Sequence, residues 1–122
     1  MLPASARMRR RADFASTFRS GRRQAGPAFV LHFAAPGADL ATPAQVGFVV
    51  SRAVGSAVVR NRTRRRLRHL LADRLDQLPA GSRLVVRVNP AAAAMTSAAL
   101  AAQLDRGLAR LLDRPVGTVL VS

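Results

Sequence analysis

Cysteine, lysine, glutamate, tyrosine and tryptophan are all missing from this 122-residue chain. Without cysteine there is no disulfide framework, no thiolate metal site and no cysteine nucleophile. Five phenylalanines make up the whole aromatic content. Acid is scarce too: six aspartates stand against 20 arginines, a formal net charge of +14. Asp13, Asp39, Asp73, Asp76, Asp105 and Asp113 scatter over several expected elements, so no carboxylate pair able to hold two metals is expected. There is no P-loop or other glycine-rich phosphate motif. No apolar run approaches the ~18 residues of a membrane span. The opening MLPASARMRRRADF contains no signal-peptide core, which makes a cytoplasmic protein the expectation.

What is present is a core and a large positive charge. Hydrophobic residues supply 49% of the chain, enough for one packed domain over residues 1–122, with an ordered core at about 8–112. A surplus of +14 attracts polyanions, nucleic acid before membrane surface. The all-arginine choice fits GC-rich codon usage, yet its physical consequence is independent of cause. Arginine forks two donors onto one phosphate and stacks on bases, which lysine cannot do.

Residues 1–10 are basic and without period, and read as loose. RADFASTFRSG predicts a short helix over 11–20, with Asp13 in its first turn, Phe14 and Phe18 at i,i+4, and Gly21 ending it. PAFVLHFAA (27–35) and QVGFVVS (45–51) alternate as strands, separated by a Pro/Gly loop over 36–44. Phe29, Leu31 and Phe33, like Val46, Phe48 and Val50, form a bulky face. The opposite face carries Ala28, Val30, His32 and Ala34, then Gly47, Val49 and Ser51. Core helices are expected on the bulky face, and a groove walled by Phe14 and Phe18 on the small one. A long helix is predicted over 56–78 with an apolar stripe Leu67, Leu70, Leu71, Leu75 and Leu78, which meets Arg60 and Arg64 when continued backwards. A strand over 83–88 and a last helix over 91–113 follow. Residues 114–122 carry no assignable pattern.

VVRNRTRRRLRH is the informative stretch, with six arginines in the nine positions 60–68. A helix N-terminus is already partly positive, and arginines at i,i+3 and i,i+4 repel one another. Helix stability therefore cannot be its purpose. No acid stands between Asp39 and Asp73, unlike the mixed signs of an ordinary solvated face. An external polyanion must supply the negative charge, and phosphate neutralisation would give salt-dependent affinity with little sequence reading. Phe14 and Phe18 suit either core packing or a wall for unstacked bases. His32 suits a surface, stacking or phosphate-donor role; a metal role is unsupported, His69 being the only other histidine. A helix-turn-helix DNA binder needs a helix before the recognition helix, and here a strand precedes it. A membrane-surface helix needs apolar residues where Arg60 and Arg64 stand. Neither DNA nor membrane is an expected partner.

RADFASTFRSG, FVLHF, VGFVVSRAVGSAVVRNRTRRRLRH and VVRVNPAA, in that order, resemble the bacterial ribonuclease P protein subunit over about residues 8–112. The signature is Arg60-Asn61-Arg62 after the strand Val46–Ser51 and Gly55. The resemblance implies an α/β fold, an α+β two-layer sandwich. Its mainly antiparallel sheet of about four strands is joined by three helices, with a left-handed β-α-β crossover through the basic helix. It implies the protein subunit of an endoribonuclease that removes the 5′ leader of precursor tRNA by phosphodiester hydrolysis. The catalytic site would lie in the RNA subunit, which needs Mg²⁺; the protein would bind no cofactor or metal itself and hold no catalytic residue. The partners implied are that RNA subunit and the single-stranded leader. Arg52, Gly55, Arg60, Asn61, Arg62, Arg65, Arg66 and Arg68 match the region that meets the RNA subunit. Phe14, Phe18, Val30, His32, Arg60 and Arg64 match the leader cleft. Two positions depart from the family: His32 stands where Tyr is common, and Ala53 where many members carry a second base. The different reading to be tested against this one is a general structured-RNA-binding or ribosomal-type protein without a role in cleavage.

Overall fold

A computed structural model describes residues 2–36 and 43–121, the side chains of Ser20 and of residues 113–121 excepted. Most of the 36–44 loop and Asp39 therefore lie outside the described residues. The elements in chain order are α1 (Arg11–Ser20), β1 (Arg22–Ala25), β2 (Phe29–Ala34), β3 (Gln45–Val49), α2 (Ala57–Ala72), β4 (Arg83–Val88) and α3 (Ser97–Val121), with short 3₁₀ turns between some of them. The four strands form one sheet in the order β1-β2-β4-β3. Pairing is antiparallel from β1 to β2 and from β2 to β4, and parallel between β4 and β3.

The bulky strand face is the core face. Phe29, Leu31, Phe33, Val46, Leu84, Val86 and Val88 are buried there against Leu67 and Leu71 of α2 and Leu100, Leu104, Leu108 and Leu111 of α3. On α3 those leucines repeat at 3.6-residue spacing, which turns one stripe of the helix to the sheet. Helix α3 begins later than expected, because Thr96 caps it: its Oγ1 accepts from Ala99 N–H at 3.1 Å, while Pro90–Ala94 forms a separate 3₁₀ turn. It also runs past the expected end at Asp113. Helix α2 stops at Ala72 rather than 78. The chain then makes a 3₁₀ turn at Leu75–Gln77, and Pro79 disfavours helical backbone at Leu78.

Strand β1, RRQA, has no apolar alternation and was not expected as an individual strand. Its backbone pairing with β2 decides it, Arg22 opposite Phe33 and Arg23 opposite His32. As a short, charged edge it discourages further pairing. The N-terminal residues are not loose either. Leu2, Ala6 and Met8 are buried, Arg7 bridges to Val46, and Met8 N–H donates to Val46 O at 2.8 Å, covering the free edge of β3.

Backbone directions fix the hand of the β3–α2–β4 crossover. Gln45 N–H donates to Ser82 O, so odd-numbered residues of β3 turn their backbone groups to β4. Gly47, one of these, faces α1: a Cβ there would lie 2.5 Å from the Phe14 ring. Seen with such a side chain toward the viewer and the chain running up, an L-residue directs its N–H and C=O to the right. From the α1 side, then, β4 lies right of β3 while α2 passes behind the sheet. The connection is left-handed, against the usual right-handed preference.

Candidate RNA interface

Helix α2 starts where the backbone leaves β3 through a 3₁₀ turn at Arg52–Val54. Gly55 follows with φ 153°, a conformation essentially closed to residues with a Cβ, and a Cβ there would also meet Val59 at 2.8 Å. Ser56 then caps the helix, its Oγ accepting from Val59 N–H at 3.3 Å. The buried stripe runs back from Leu71 and Leu67 to Thr63, not to arginine. Thr63 is 1% exposed and donates its hydroxyl to Val59 O at 2.9 Å. A small, internally satisfied side chain thus lets the first half of α2 sit against the protein while the arginines fan outward.

Asn61, Arg62 and Arg65 are exposed, as is Arg52 in the preceding turn; Arg60, Arg64, Arg66 and Arg68 are half-buried. Asn61 Oδ1 accepts from Arg64 at 3.1 Å, which steadies that guanidinium. Arg66 is turned inward instead. It donates to Met95 O and, through Nε, to Ser97 Oγ, tying α2 to the start of α3. Buried Nε groups of Arg60 and Arg68 have no acceptor among the described residues. The first turn of α2 contains no acid, and the described ion pairs, Arg74–Asp105 and Arg83–Asp13, lie elsewhere.

On the other face of the sheet, α1 crosses β2 and β4. Asp13 pairs with Arg83 at 3.2 Å and Thr17 is fully buried. Beneath it two rows of residues run across the strands: Arg23, His32, Val85 and Gly47, then Ala25, Val30, Arg87 and Val49. Gly47 leaves room for the Phe14 ring. Phe18 stays 39% exposed, its ring in a T-shaped contact with His32 at 4.7 Å between centroids and 90° between planes. The structure so brings Phe14, Phe18, Val30 and His32 to one face. Arg64 joins them, lining with Phe14 a small hollow beside β3; Arg60, a turn earlier, does not line it. Sequence reading missed Arg23 and Arg87, which flank this floor. For Arg87 the signal was available, since it shares parity with Val85 in the alternating strand RLVVRV.

His32 is 8% exposed, and its buried Nε2 has no partner among the described residues. Burial first, then the charges of Arg87 and Arg23, push its pKa below the ordinary 6.5. Arg23 comes from β1 and Arg87 from β4, while α1 lays the uncharged Phe18 ring against the imidazole. Protonation therefore favours the unfolded chain, which binds more protons than the folded one as pH falls below 6.5. Stability should be full above that pH and decline below it. Thermal unfolding from pH 7.5 to pH 5 should show the wild type losing ground to His32→Gln; a relative gain would mean the folded state prefers the imidazolium.

The family model for Ribonuclease P matches residues 2–112. The ribonuclease P protein component of Streptomyces bikiniensis is 52% identical over 119 residues, covering 92% of this chain and 96% of that one. That of Acidothermus cellulolyticus is 54% identical over 111 residues, covering 91% and 92%. Among solved structures, an RNase P protein mutant of Staphylococcus aureus with defective mRNA degradation activity superposes with a TM-score of 0.75, at 25% identity, covering 85% of this chain and 86% of that one.

Proposed function

Because the chain belongs to the bacterial ribonuclease P protein family, a protein subunit of a tRNA-processing enzyme, we propose that it serves by holding RNA on two surfaces that meet at β3. The outward arginines of α2 grip the phosphates of the RNA subunit. The α1 face takes the single-stranded 5′ leader of precursor tRNA, its bases against Phe18 and His32 and its phosphates within reach of Arg23, Arg87 and Arg64. One observation carries the reading: six arginines stand between positions 60 and 68 of one helix with no acid in its first turn, and Arg64 of that helix lines a hollow together with Phe14 of the aromatic face.

Cleavage chemistry is assigned to the RNA. Asp13 and Asp105 are engaged with Arg83 and Arg74, and among the described residues no three His or Asp side chains come together as a metal site. In this reading Mg²⁺, for which the described residues offer no such cluster, is held by RNA phosphates. No helix among the described residues is long and apolar enough to cross a membrane; with precursor tRNA as substrate, the cytoplasm is its place of action.

The test is 5′ processing of a precursor tRNA by the matching RNA subunit at low Mg²⁺, with and without this protein. Cleavage at the mature 5′ end should depend on the protein, and the protein alone should cut nothing. Broad RNA binding without any effect on cleavage would leave only a general RNA-binding domain. For the α1 face, Phe18→Ala should remove one stacked base, about tenfold in affinity for leader-bearing precursor, and spare mature tRNA. Equal losses for both substrates would remove the leader from this face.

A further inference from the structure

A concave positive site lies at the free edge of β3, where the N-terminal segment passes α2. Two hollows there share Arg7, Arg64 and Arg68. The larger, about 410 Å³, is completed by Asn61, Arg65 and His69, and no acid lines it. The smaller opens toward Phe14 and Gly47, so the pair joins the aromatic face to the arginine helix. Arg7 is held rather than trailing. Its backbone bridges to Val46, the flanking Ala6 and Met8 are buried, and its Nε donates to Leu2 O at 3.1 Å.

Three guanidinium groups converge with no counter-charge, an arrangement folding alone would not favour. Arg68 bears the consequence: burial, then the charges of Arg7 and Arg64, lowers its pKa from the ordinary arginine value. Its Nε is a buried donor lacking an acceptor among the described residues. A tetrahedral anion with several acceptor oxygens would answer the uncompensated charge and take donors from more than one of these guanidinium groups.

We propose that Arg7, Arg64 and Arg68 form a seat for one phosphodiester phosphate of RNA, positioned where a strand leaving the aromatic face reaches the arginine helix. This rests on the RNA-holding role above and adds a contact from the N-terminal segment. The phosphate comes either from the leader or from the RNA subunit, and two affinities separate these sources. One is that of the protein for the RNA subunit alone. The other is that of the assembled holoenzyme for precursor tRNA with a long leader, compared with mature tRNA.

Arg7→Ala should weaken one of the two by about tenfold at 0.1 M salt and reduce the slope of log affinity against log salt by about one. Arg7→Lys should restore most of the slope. A loss confined to leader-bearing precursor assigns the phosphate to the leader; a loss in RNA-subunit binding assigns it to that subunit. Arg7→Ala also gives up the bond to Leu2, so Arg64→Ala provides a second probe away from the N-terminal segment. Combined, the two substitutions should cost less than the sum of their separate effects, because both act on one phosphate. Additive losses, or unchanged affinities and slope with Phe18→Ala and Arg62→Ala still harmful, overturn the seat and leave the RNA-holding role standing. If none of these variants weakens binding, both readings fall.

Discussion

Alanine at Arg62 and Arg65 together is expected to weaken assembly with the RNA subunit by roughly sixtyfold at 0.1 M salt. The magnitude follows from counterion release. Each neutralised phosphate contributes a slope of about 0.9, so dilution of salt from 1 M to 0.1 M makes each contact worth about eightfold. Two contacts multiply, and the slope should fall by about two. Both side chains are exposed and enter none of the described hydrogen bonds or ion pairs of the fold. Removing them should therefore move thermal unfolding by no more than about 3 °C, and relief of mutual repulsion makes a small gain the favoured direction. Melting curves and salt-dependent binding on one preparation decide it. Loss of the fold would show these arginines to be structural, as Arg66 already is through Met95 and Ser97.

The largest expected effect on stability is at Gly21. The residue ends α1, but its backbone is ordinary, φ −87° and ψ 167°, so no left-handed turn demands glycine there. Space does. A Cβ at this position would lie 2.4 Å from Phe33 O and 2.6 Å from Thr17 O. Neither carbonyl can yield cheaply, since Thr17 O accepts the closing N–H of α1 and Phe33 pairs with Arg22 on one side and Leu84 on the other. Gly21→Ala should cost about 3 kcal/mol, the upper part of the overpacking range, and lower the melting temperature by roughly 10–20 °C. It should also displace the α1 rings from the leader face. Gly26→Ala is the control: its Cβ would find its nearest atoms at 3.6 Å, and its melting point should stay near that of the wild type. A Gly21→Ala protein that melts with that control would show that α1 can lift from β2 without loss.

Much of this architecture was written locally. Alternation in FVLHFA and QVGFV separated a bulky face from a small one because side chains in a strand must point to opposite sides. The leucines of α3 and of the second half of α2 marked their packed stripes by helical spacing. Helix boundaries were less legible. Thr96 is one of several residues able to cap, and only the fit of Leu100 and Leu104 against the sheet selects it. Strand β1 had no pattern to read, since its hydrogen bonds go to a backbone that any residue can offer.

The sequence by itself determined the charge, its concentration on one helix, the presence of a core and the family. These depend on composition, local spacing and order along the chain. Tertiary structure alone decided which positive groups act together. Arg66 was taken out of the outward set by Met95 and Ser97, while Arg7, from a segment without period, was brought beside Arg64 and Arg68. Arg23 and Arg87 came to flank His32 through strand pairing between β1, β2 and β4. Electrostatic interaction depends on distance through space, and residues far apart along the chain acquire that distance only when the sheet and its crossover are built.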